Sequence, residues 1–236
     1  MKKLFGLVLL ITSFTLGAQN NSELLKHYEA YYKQMKSQGD TQGIINAMTH
    51  LNVLSPSEAR KDTLAYIYMS ENKFMQALNT IGIEQNTTDS DIAVEVKAIS
   101  LKSVKQPKLA IAHFEELFKR DQNPLIAYEL AELYMQTQNL AQTDKHIAFG
   151  LANSKPEMKK AFYETQTPYE VPLKAAFMYM DALSTYNKDV KNNIDAAVGI
   201  LDKALLAAPN FSLIQISKNE LLRQKQALQQ ASQPKN

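Results

Sequence analysis

A period of 33 residues runs through the middle of this chain and leaves few folds open to it. Tyr32, Ala65, Ala98 and Ala131 form one column at that spacing, and Met35, Tyr68, Leu101 and Tyr134 form a second, three residues on. Ile44, Ala77, Ala110 and Thr143 form a third, and Met48, Ile81, Phe114 and Ile147 a fourth. All four stay in phase without a gap. Self-similarity at such a period marks a stack of supersecondary units, none of which can bury its apolar face alone.

One unit is readable in detail. Leu64-Ala65-Tyr66-Ile67-Tyr68 belongs to an apolar helical stripe, Ser70-Glu71-Asn72-Lys73 is a polar turn, and Phe74, Ala77, Leu78 and Ile81 recur at helical spacing. This predicts a helix-turn-helix hairpin, with Ala65 and Ala77 where two helices cross too closely for a larger side chain. Val94, Ala98 and Leu101, then Ala110, Phe114 and Leu117, repeat the pattern. Asn123-Pro124 closes one unit and opens the next, because proline is excluded from a helix interior but suits a first turn. The composition agrees: only 7 glycines in 236 residues favour helix throughout.

These residues resemble the tetratricopeptide repeat family, most clearly at Leu64-Ala65, Tyr68, Ala77 and Ile81, and again at Leu130-Ala131, Tyr134, Leu140 and Ile147. The family tryptophan is missing everywhere, Thr143 replaces the second alanine of one unit, and Glu84 and Gly150 break a small or apolar column. The resemblance implies an all-α, right-handed α-solenoid of antiparallel hairpins that acts as a non-catalytic interaction scaffold. It also implies a concave groove lined by the first helix of each hairpin, where a peptide or partner helix lies. Carried over position by position, the partner-binding residues are Glu29, Asp62, Glu95 and Tyr128, then Tyr66, Ile99 and Glu132, then Met69 and Met135. Three of the first four are acidic, which disfavours a clamp for a C-terminal carboxylate.

The chain divides into segments. Residues 1–18 have the layout of a signal peptide: Lys2-Lys3, an apolar run to Leu16, then Gly17-Ala18 before polar Gln19. This predicts cleavage near Ala18-Gln19 and an exported protein, periplasmic or secreted, with no integral membrane segment in the mature chain. The in-phase repeats occupy 19–150. An irregular insertion follows at 151–172, expected to hold a short helix over Glu157–Glu164 capped by Ser154. A further hairpin fills 173–209, with helices over Lys174–Tyr186 and Ile194–Ala207. Residues 210–236 form a polar capping helix, from about Ser212, and a tail.

Little in the sequence suggests catalysis. His113 and His146 stand one period apart, a separation unsuited to sharing a metal ion, and read as surface positions. Pairs such as Glu115-Glu116 and Glu129 with Glu132 read as solvated helix faces. No phosphate loop, zinc motif or nucleophile elbow is present. Neither a cofactor nor a metal is expected. Without Lys2 and Lys3 the basic residues, 26 in the full chain, equal the 24 acidic ones, so bulk attraction to nucleic acid is absent. Tyr28, Tyr31 and Tyr32 cluster in a way that suits packing or, alternatively, a carbohydrate-stacking platform. A second function class, a glycan or small-ligand binder using the 150–193 segment, remains beside the scaffold reading.

Overall fold

The computed structural model describes residues 21–231; the segment 1–18, expected to be a signal peptide, lies outside them. Eleven helices and one two-stranded sheet are found among the described residues, in two compact units divided after Gln106. The all-α class read from the sequence is the one observed. The division falls inside the span that the period treats as one array.

The first unit contains α1 (21–38), α2 (Thr41–Leu54), α3 (Glu58–Ser70), α4 (Phe74–Ile81) and α5 (Asp91–Ser103). Its core is made of small clusters: Ile45, Met48 and Leu64 in one, and Ala65, Met69, Ala77 and Val96 in another. Ala65, Ala77 and Ala98 are completely buried, as close helix crossings require. Gly43 serves the α1–α2 crossing, because a Cβ there would collide with the Met35 side chain. Lys97 is also buried; it donates to Asp89 at 2.6 Å and to the Glu84 carbonyl at 2.8 Å, tying the loop after α4 to α5. Burial alone would raise the Asp89 pKa, but the Lys97 hydrogen bond and charge, with help from Asn86, hold it below its usual value.

The second unit contains α6 (Pro107–Arg120), α7 (Pro124–Gln136), α8 (Leu140–Asn153), β1 (Lys159–Phe162), β2 (Tyr169–Pro172), α9 (Leu173–Lys188), α10 (Ile194–Ala207) and α11 (Ser212–Ala231). Asn123 caps α7 by accepting from the Leu125 amide, with Pro124 in the first turn. One continuous core runs from Ala127 and Ala131 through Leu173, Phe177 and Leu201 to Ile214 and Leu221.

The period has a backbone signature as well as a side-chain one. Gly39, Asn72, Lys105 and Gln138, each 33 residues from the last, all adopt a left-handed conformation, with φ of 68°, 57°, 59° and 60°. After each, the amide of the following residue bonds five residues back: Asp40 to Met35, Lys73 to Tyr68, Gln106 to Leu101 and Asn139 to Tyr134. This is a Schellman ending, which satisfies the last carbonyls of one helix and reverses the chain. The α9–α10 connection abandons it: Asp189 is extended, and its carboxylate accepts from the Lys191 and Asn192 amides.

Two expectations need correction. Residues 157–164 do not form a helix: Ser154 ends α8 instead of starting a new one, and 159–172 is an antiparallel hairpin pairing Lys159 with Pro172 and Phe162 with Tyr169. Docking decides this, since Val171 is fully buried and the Leu173 amide bonds the Met158 carbonyl at 2.8 Å. His113 and His146 are not surface residues; both are buried, at 2% and 0% exposure.

Candidate functional site

The residues singled out for binding divide between the units, and the two groups differ in accessibility. In the first unit, Glu29 on α1 and Glu95 on α5 are exposed, and Tyr66 on α3 is 45% exposed. Ile99 is half-buried, packed on the cluster of Ala65, Met69 and Val96. Asp62 accepts from the Ser90 hydroxyl at 2.7 Å, which joins α3 to the start of α5. Met69 departs from expectation: it is buried at 9% exposure and belongs to the core.

Ile92 was missing from the sequence reading. It is 44% exposed and lies three residues before Glu95 and seven before Ile99, so all three share one stripe of α5. Its signal was present in the column Lys26, Ala59, Ile92 and Leu125. Because α3 and α5 pack together, Tyr66, Ile92 and Ile99 offer apolar surface beside Asp62 and Glu95.

In the second unit the corresponding face is already occupied. Tyr128 on α7 is 3% exposed, with its ring against Phe177 at 5.4 Å and Lys160 of β1 lying 4.9 Å from its centroid. Lys160 also donates to Glu129 at 2.7 Å. Burial, reinforced by the carboxylates of Glu132 and Glu129, raises the Tyr128 pKa well above its ordinary value. Met135 is half-buried and packs on the core, and Glu132 is half-buried. The hairpin continues across the unit: Phe162 and Tyr169 stack, and both meet Phe211 just before α11. Tyr128 therefore cannot be the free groove anchor that the family pattern implied.

Within the irregular 150–193 segment several polar groups bond to one another or to α11. Tyr169 donates to Glu164, and Ser212 bonds both. Asn193 donates to the Thr185 carbonyl at 2.9 Å.

One titratable cluster lies inside the second unit. Tyr134 donates to Glu115 at 2.8 Å, and His146 Nε2 lies 3.2 Å from the same oxygen. Burial, with the Glu115 hydrogen bond and charge, pushes the Tyr134 phenol up to about 12. Burial lowers the His146 pKa, against the opposing pull of Glu115. Phe118 and Tyr134 pack on the imidazole and seal it. A fully buried imidazole between two rings packs the fold and offers no nitrogen to a dissolved substrate. Among the described residues, no three His, Asp or Glu side chains converge as metal ligands, and no helix is long and apolar enough to cross a membrane.

No protein-family model matches this sequence, and no curated protein matches it. Solved structures do match the fold. YrrB, described as a TPR protein with an unusual peptide-binding site, gives a TM-score of 0.64 at 14% identity, over 87% of this chain and 97% of its own. MamA gives 0.59 at 15% identity, over 81% and 95%. A MamA chain running from residue 41 to the end, from Desulfovibrio magneticus RS-1, gives 0.59 at 12% identity, over 80% and 97%. At such identities the likeness concerns architecture alone, and the architecture of this chain is that of the tetratricopeptide-repeat proteins.

Proposed function

We propose that this chain is an exported, non-catalytic scaffold that holds a protein partner on the first unit, across α3 and α5. The observation that carries this reading is the exposed pair Tyr66 and Ile92, together with half-buried Ile99, bordered by Asp62 and Glu95. Aromatic and aliphatic anchors supply affinity, while surrounding charges select the partner. The acidic border favours a peptide or amphipathic helix with apolar side chains flanked by lysine or arginine. The peptide-binding site described for YrrB, which shares the fold, is consistent with such use.

The test is recovery of partners from the cell envelope with the parent chain and with Tyr66→Ala plus Ile99→Ala. A partner retained by the parent and lost by the double variant, at unchanged helicity, supports the reading. Equal recovery by both would move the working surface elsewhere. Export rests on the residue pattern of 1–18 and is checked separately: mass spectrometry of the native protein should find an N-terminus at or near Gln19.

A further inference from the structure

We propose that the first unit carries a saccharide-binding pocket, separate from the α3–α5 partner surface. An open cavity of about 610 Å³ is bordered by α1, α2, the end of α3 and the start of α4. That volume falls within the ~300–1,000 Å³ of small-ligand sites.

The lining specifies the chemistry. Three phenol rings enter it, from Tyr28, Tyr31 and Tyr68. Tyr28 is held by His50, with ring centroids 4.2 Å apart and planes 13° apart. Three carboxamides complete it: Gln42, Asn46 and Gln76. Lys73 donates to Gln42 at 3.1 Å, and Gln42 donates to Asn46 at 2.9 Å, so the chain of bonds passes from cation to amide to amide. Each carboxamide both donates and accepts.

A pyranose has two matching features. Its C–H faces pack on aromatic rings, and its ring of hydroxyls needs partners that donate and accept at once. Other ligand classes fit less well. Nucleic acid needs several cations to neutralise phosphates, and among the described lining residues only Lys73 is permanently charged. A partner helix needs several aliphatic anchors, and Ile45 is the single aliphatic side chain among the described lining residues. Among the described lining residues there is no carboxylate, so an acidic sugar is accepted as readily as a neutral one.

The experiment uses the full chain and three soluble probes: a neutral β-glucan tetrasaccharide, an N-acetylglucosamine tetrasaccharide and a tetragalacturonate. Saturation-transfer NMR should show contact with at least one of them, and calorimetry should show binding at millimolar affinity or better, on the order of −4 kcal/mol. Gln76→Ala, an exposed position on α4, and Tyr31→Ala should each weaken it by about tenfold, the loss of one amide partner or one stacked ring. Lys73→Gln should weaken the uronate more than the neutral probe. Tyr66→Ala with Ile99→Ala should leave sugar binding intact, which separates this site from the partner surface. Absence of transfer to all three probes would overturn the proposal. So would binding that survives Gln76→Ala and Tyr31→Ala together.

Discussion

The ring of Phe177 on α9 lies directly over the Cα of Gly150 on α8, so that a Cβ at Gly150 would stand inside it. Gly150 stands in a column that is small or apolar in the family, and the structure explains why no side chain is present here: the fully buried Phe177 fills the space. Gly150→Ala should destabilise by about 1–3 kcal/mol, as overpacking does. Adding Phe177→Leu should return part of that loss, because contacting residues are not additive. Urea midpoints of the two single variants and the double variant measure the coupling; strict additivity would contradict the contact.

The four left-handed positions make a second prediction. Glycine occupies only the first, Gly39, where nothing lies within 4 Å of an added Cβ. Gly39→Ala should therefore cost only the backbone strain, about 1 kcal/mol. Gln138→Gly, where the strain is already present, should stabilise by a few tenths to about 1 kcal/mol, the strain relieved less the added chain entropy. A loss of stability in Gln138→Gly would show that its side chain contributes more than its backbone strain removes.

Asp89→Ala should be among the more damaging substitutions in the first unit. It leaves Lys97, 1% exposed, with the Glu84 carbonyl in place of a carboxylate. Stranding a buried charge costs about 3–5 kcal/mol; Lys97→Met removes the deeply buried cation and leaves Asp89, 13% exposed and still accepting from the Asn86 amide, with less to lose. Lys97→Met should accordingly unfold at higher denaturant than Asp89→Ala. The reverse order would mean that the pair is not what holds the 82–90 loop.

Acid should weaken the second unit through His146. Burial lowers its pKa below the ordinary 6.5, so the unfolded chain takes up the proton more readily than the folded one. The penalty is absent above about pH 6.5 and grows as pH falls below it. Glu115 opposes the effect, and Lys145 adds to it. Unfolding free energy followed from about pH 7.5 to pH 5 should decline less steeply in His146→Gln than in the parent. Identical slopes would show that His146 is not the titrating group.

The sequence exposed the repeat because local physics creates it. Alanine at 65, 77, 98 and 131 is demanded by helix crossings within the array, and helices at Ile194–Ala207 and from Ser212 follow from their own periodicity and flanking Pro209. The left-handed turns were half visible: Gly39 and Asn72 suit that conformation, while Lys105 and Gln138 give no sign of it. The hairpin was not legible. Ser154-Lys155-Pro156-Glu157 has the look of a helix start, and Lys159-Lys160-Ala161-Phe162 carries no strand signal. What makes it a strand is distant: Glu129 receives Lys160, and Phe211 receives Phe162 and Tyr169. The same distance hid the burial of Tyr128, since no helical pattern reports that a segment thirty residues later folds back over it. Met69 was hidden in a different way, facing Val96 across a packed boundary between helices.

The hairpin over α7 also sets a competition. Its strands are covalently joined to the helices they cover, so they confront Tyr128 and Glu129 at an effective concentration in the millimolar range or above. A diffusing peptide at micromolar level would have to outbid that tether by a factor of about a thousand before displacing Lys160. Loop residues 163–168, where Tyr163 is 75% exposed and Glu164 is held by Tyr169 and Ser212, set the length of the tether. Lengthening that loop would dilute the internal competitor only slowly, whereas cutting it would release one strand to exchange with solvent. Protease nicking within 163–168 is thus a route by which this face could change from filled to open without any substitution in the helices.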